Sequence, residues 1–262
     1  FRGDVTANFY GTNTQMPFWF RANQYDVIPQ KTAISLSGTI DYETTLSAKW
    51  KFVSSAQVIG NVLDDRKNKV YLPQLYAGIR RGSLLFYVGR KKELFGLADS
   101  TLTSGSYIWS GNALPIPKIQ IELSDYVPIG KTNPWLGFKG NYAHGWFGSS
   151  KFAYGYFLHQ KSLYLRVGRK SSVVKLYGGF NHQVQWAGKT IDDIGTVTNR
   201  TFPSSFGAYL ETVIAFGANI GLKRRGTNPF DSTNRIGNHL GTVDLGLEID
   251  LKKYNLLLYR QN

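Results

Sequence analysis

Hydrophobic and polar residues alternate with a period of two along most of this chain. That period marks a β-strand lying between two different environments. It is clearest in KSLYLRVGRKSSVVKLYGGFNHQVQW, Lys161 to Trp186. In the first arm, Leu163, Leu165 and Val167 point one way, and Ser162, Tyr164, Arg166 and Gly168 the other. In the second, Leu176, Gly178, Phe180, Val184 and Trp186 oppose Lys175, Tyr177, Asn181, Gln183 and Gln185. The connection at 169–172 is short and polar, as an antiparallel hairpin requires. Each arm is about ten residues long, close to the ~9–11 that a tilted strand needs to cross a bilayer. A polar face of Arg, Lys, Asn, Gln and Tyr suits the lining of a wet channel. The hairpin reads as two staves of a barrel, apolar to lipid and polar to the lumen.

The same alternation predicts strands at Asp4–Tyr10, Thr32–Glu43, Lys49–Leu63, Val70–Arg80, Ser83–Lys91, Lys118–Ser124, Trp135–Trp146 and Gly241–Leu251, with a final strand ending at Gln261. Arg81–Gly82 reads as a tight turn, since glycine tolerates positive φ. Within Pro203–Gly217, Phe206, Leu210, Val213 and Phe216 have helical spacing behind a Ser cap. Connections at 44–48, 81–82, 125–134, 169–172 and 252–254 are short; those at 11–31, 92–117, 145–160 and 187–240 are long. Alternation of short and long connections is the membrane-barrel pattern, with the long loops extracellular. The expectation is therefore all-β: one antiparallel transmembrane β-barrel domain over residues 1–262, with about 11 strands, long extracellular loops and one short loop helix. No run approaches the ~18 apolar residues of a membrane-crossing helix.

Charge narrows the partners. The chain carries 31 Lys and Arg against 17 Asp and Glu, a net +14. Such an excess favours anionic partners: nucleic acid, anionic lipid or lipopolysaccharide such as that of a bacterial outer membrane, or acidic polysaccharide. No nucleic-acid-binding motif is present. There are no Cys residues, which excludes disulfides and Cys-ligated metals. The four His residues, His144, His159, His182 and His239, are far apart in sequence, and no metal site or cofactor is expected. Asp244 and Glu248 share a polar face and read as partners for Lys and Arg on it. Asp64–Asp65 and Asp192–Asp193 read as solvated turn charge. No nucleophile elbow or phosphate loop occurs, so no enzymatic activity is expected. Planar aromatics beside amides and cations suit the ring faces and hydroxyl edges of sugars. The candidate glycan-binding residues are Trp19, Arg21, Asn23, Gln24, Tyr25, Trp109, Asn112, Asn181, Gln183 and Trp186.

At PFWFRANQYDVIP, WSGNALPIPKIQI, WLGFKGNYAHGWF, FLHQKSLYLRVG, VKLYGGFNHQVQW and LLLYRQN, the chain resembles the Wzi-like capsule assembly family in its Bacteroidetes form. These segments spread over residues 17–262. The resemblance implies an outer-membrane barrel, nominally 18-stranded, that acts as a surface lectin holding capsular or exopolysaccharide at the cell. It also implies that this chain is the N-terminal portion, with strands following LLLYRQN. The helical bundle that opens proteobacterial members has no counterpart here, and no residue-level site carries over. Two other functions fit the same pattern: a diffusion porin constricted by the helix at 203–217, and a structural subunit of a larger outer-membrane assembly whose long loops dock partners.

Overall fold

The computed structural model describes residues 1–63, 68–99, 101–103, 105–130, 135–190, 201–214 and 236–262. The expected turn charges at 64–65 and 192–193 fall outside them. Strands β1 (Arg2–Tyr10), β2 (Ala33–Thr45), β3 (Lys51–Leu63), β4 (Lys69–Arg81), β5 (Leu84–Arg90), β6 (Lys118–Leu123), β7 (Val127–Ile129), β8 (Leu136–Trp146), β9 (Ala153–Val167), β10 (Val174–Thr190), β11 (Asn238–Asp250) and β12 (Asn255–Gln261) form one antiparallel sheet. Neighbours in sequence are neighbours in space, except that the three-residue β7 pairs only with β8, leaving β6 beside β8. A single-residue register shift lies between β3 and β4, where Gln57 faces Gln74 but Ile59 faces Tyr71. Pro73 sits there, and a residue without an N–H is tolerated where the ladder is interrupted.

The two faces divide as the alternation dictates, and the polar one is the buried one. On β11, Val243 is 61% and Leu245 63% exposed, while Thr242 is 3% and Asp244 0% exposed. On β2, Ile34, Leu36 and Ile40 are exposed and Ser35 is buried. Lys118, Gln120, Gln160, Arg166, Lys175, Asn181 and Gln183 are all buried on the same polar face. A sheet in water arranges these faces the other way.

Contacts across the polar face show that the sheet curls towards it. Lys92 bonds to Gln57 of β3, and Gly96, four residues on, lies against Gln261 of β12. Eight strand-to-strand steps separate β3 from β12. Laid flat, those steps span roughly 38 Å, whereas four residues reach at most ~14 Å. Extended side chains do not close that gap, so the sheet wraps around the 91–97 segment. The polar face is its concave, inner side. Among the described residues, β1 and β12 are the two open edges.

Two departures from the sequence reading follow from packing. The connection expected at 145–160 shrinks to 147–152, because β9 begins at Ala153 and pairs with β8 as far as Trp146↔Phe157. The expected helix forms as α2 (Phe206–Ile214), and the Ser205 hydroxyl caps it by accepting the Ala208 N–H at 3.2 Å. It lies on the outer face. The Tyr209 ring contacts His144, His159 and Trp186, its hydroxyl meets that of Tyr142 at 2.7 Å, and Lys161 donates to the Val213 carbonyl. All of these partners occupy outward positions of β8, β9 and β10. The helix therefore does not constrict the inner side. It covers Phe157 and His159 on the outer face while Leu158 between them is buried on the inner one, so the alternation fades in the stretch that reads as a loop.

Candidate functional site

Polar side chains on a buried concave face must satisfy one another. At β9–β11 they do so in part around Asp244, whose Oδ2 gathers the donors while its Oδ1 has no partner among the described residues. Tyr164 donates its hydroxyl to Asp244, Gln261 Nε2 donates to the same carboxylate at 3.0 Å, and Asn181 Nδ2 bonds Thr242 Oγ1 at 3.0 Å. Asp244 is thus held by neutral donors. Glu248, four residues along the same face, takes Lys175 at 2.9 Å and Asn255 at 2.9 Å. The expectation that both carboxylates pair with cations holds for Glu248 alone. On β10 the residues that reach Asp244 are Asn and Gly, too short or neutral to supply a charge.

The 91–117 connection lies over this face. Its Glu93 accepts from Lys118 and, at 2.7 Å, from Gln120, while Lys91 pairs with Glu122. Lys118 also donates to Gln160 at 3.0 Å and stands 4.9 Å from the Phe95 ring centre and 5.2 Å from that of Trp109. A lysine 1% exposed is stable only with such company. Gly96 adopts φ 96° where Gln261 and Asp244 leave no room for a Cβ.

Above it the 11–32 connection docks on the 91–117 connection. The short helix α1 (Phe18–Arg21) leads into a run in which Asn23 (φ 57°), Tyr25 (φ 54°) and Asp26 (φ 57°) are left-handed. Side chains rarely adopt this conformation, which costs of order 1–3 kcal/mol each and persists only where neighbours impose it. The neighbours are identifiable. The Asn23 N–H donates to Asn112 Oδ1 at 2.7 Å, and the Tyr25 N–H donates to the Gly111 carbonyl at 2.6 Å. The Lys92 ammonium stands 5.3 Å from the Tyr25 ring centre. Burial lowers the pKa of Lys92; burial and the nearby Glu93 charge raise that of Tyr25. Arg21 reaches Asp26 at 3.5 Å, and Trp19 projects from the cluster at 75% exposure.

The ten candidate residues therefore fall in three places. Trp19, Arg21, Asn23, Gln24, Tyr25, Trp109 and Asn112 belong to the two docked connections. Asn181 and Gln183 are buried on the inner face of β10. Trp186 is on the outer face, buried between Val184, Phe157 and Tyr209. It is not presented to solvent. The sequence reading passed over Lys92, Glu93 and Lys118, which join the connections to the sheet. The alternation of β6 carried a signal for Lys118, since it falls in step with Gln120.

All four histidines gather in one patch on the outer face, where Tyr209 of α2 touches His144 and His159. His182 Nε2 meets His239 Nδ1 at 2.9 Å, and the His159 and His182 rings are 6.2 Å apart. Among the described residues no group of His, Asp or Glu has the geometry to hold a metal ion. No protein-family model matches the chain, and no curated protein matches it.

Proposed function

We propose that this chain forms the wall of an outer-membrane β-barrel and binds acidic capsular or exopolysaccharide at the cell surface, as its resemblance to the Wzi-like capsule assembly family suggests. One observation carries the membrane reading: a curled antiparallel sheet whose convex side is apolar and exposed and whose concave side is charged and buried. Exposing that many aliphatic side chains to water is unfavourable by about 25 cal/mol per Å2, and hydrocarbon removes the penalty. Net charge and the aromatic–amide cluster of the two docked connections support an acidic glycan as ligand. The 91–117 connection over the inner face favours a filled barrel over an open porin.

Binding of a polyuronate to the purified protein in detergent tests the ligand. Arg21→Ala is expected to weaken it mainly at low ionic strength, because a partly exposed cation is screened by salt. Trp19→Ala is expected to weaken it at every salt concentration, because stacking on an exposed indole is not screened. Unchanged binding in both folded variants would overturn the assignment to this cluster. Near-silence in planar bilayers is expected of the filled barrel; steady conductance would favour the porin.

A further inference from the structure

A cavity of about 270 Å3 opens on the inner face, bounded by β6, β8, β9, Tyr126 and the start of the 91–117 connection. It lies towards the short-turn end of the strands, away from Trp19 and Arg21. At ~30 Å3 per molecule it has room for about nine waters.

Its donors are placed by strand register. Lys139 and Asn141 are two residues apart on one face of β8. Opposite them on β9 stand Tyr164 and Ser162, and opposite Asn141 on β6 stands Glu122. Cross-strand partners of this kind sit ~4.5–5.5 Å apart, so the group converges on one space. The cavity is lined by three ammonium groups, Lys91, Lys92 and Lys139, and two carboxylates, Glu93 and Glu122; because Glu93 is already paired with Lys118 from outside the lining, positive charge is left in excess. Lys91 pairs with Glu122, and Lys92 is taken by Gln57 and the Tyr25 ring. Lys139, exposed at the mouth of the cavity, has no hydrogen-bond or ion-pair partner among the described residues. Asn141 accepts the Ser162 hydroxyl, but its Nδ2 is shielded from solvent and has no partner among the described residues. A shielded amide donor without an acceptor beside an uncompensated ammonium is the complement of an anion.

We infer that this cavity binds a small monoanion bearing hydroxyl groups, a sugar acid: Lys139 meets the carboxylate, and Asn141 Nδ2 donates to it or to a neighbouring hydroxyl. The Phe95 and Tyr126 rings line the cavity and offer walls for the sugar's apolar face. The site is separate from the glycan cluster at the long-connection end and takes from that reading only the chemical class of ligand.

Titration calorimetry of the purified full chain with D-glucuronate, glucose and inorganic phosphate tests it. Glucuronate is expected to bind better than either, and Lys139→Gln to weaken it roughly tenfold, the worth of one charge-assisted contact. Asn141→Asp, which replaces the donor with a like charge, is expected to abolish it. Lys139 has no partner to lose, so an unchanged melting curve certifies Lys139→Gln as folded. Arg21→Ala is expected to leave glucuronate binding intact, which separates this site from the polysaccharide cluster. Equal affinity for glucuronate and glucose, phosphate as the best ligand, wild-type affinity in folded Lys139→Gln, or loss in Arg21→Ala would each overturn the inference.

Discussion

At the scale of single residues, the inner face behaves like a protein core built from polar groups. Asn181 lies between Tyr164, Thr242 and Asp244 and bonds to all three. Replacing it with Leu leaves these groups shielded and short of a partner, which costs about 1–3 kcal/mol. Urea unfolding in detergent micelles is expected to show a loss of that size for Asn181→Leu, and a smaller one for Ser37→Ala, which removes only a 3.5 Å contact to Gln57 at a half-buried position. Equal losses would mean that the network around Asp244 contributes no more than an ordinary polar contact. The face of Asn181 was legible from the alternation of β10. Its partners were not, because Thr242 and Asp244 belong to a strand 61 and 63 residues away in the chain.

At the scale of elements, each strand is a two-faced plate, and position along it matters less than side. Val243→Arg places a cation on the exposed apolar face of β11 and is expected to cost ~2–4 kcal/mol if the site lies near the bilayer midplane. Ser37→Arg, on the half-buried inner face of β2, is expected to cost far less. Thr242→Arg is not a mild counterpart: Thr242 is buried and accepts the Asn181 bond. Folding yields in lipid vesicles compare the variants, and equal yields for Val243→Arg and wild type would remove the apolar face from contact with hydrocarbon. The helix α2 is the element whose existence could be read but not its place. The spacing of Phe206, Leu210 and Val213 and the Ser cap specify a helix locally. The side of the sheet it covers depends on Tyr209 finding His144, His159 and Trp186, residues on three strands.

For the whole molecule, connections gather at two ends. The turns at 46–50, 82–83 and 168–173 lie at one end, and the connections at 11–32, 91–117 and 147–152 at the other. With no native cysteine to interfere, Ser149→Cys and Ser171→Cys report which end faces out. Labelling of intact cells at Ser149→Cys alone is expected. Labelling at Ser171→Cys alone would invert the topology, and labelling at neither would remove both ends from the cell surface.

The sequence by itself determined the strands and their faces, because a period-two pattern is local: each residue's side follows from its neighbours along the chain. It also determined the Arg81–Gly82 turn, where Gly82 has φ 57°, and the absence of disulfides. Tertiary structure alone decided how far the sheet curls, because curvature is set by the 91–97 segment reaching from Gln57 to Gln261. It decided that α2 lies outside, that β9 runs back to Ala153, and that Trp186 is covered while Trp19 is not. It also gathered four scattered histidines into one patch and left Lys139 and Asn141 facing an open cavity. Each of these depends on contacts between segments far apart in the chain, and no local pattern of hydrophobic and polar residues records which distant segment arrives.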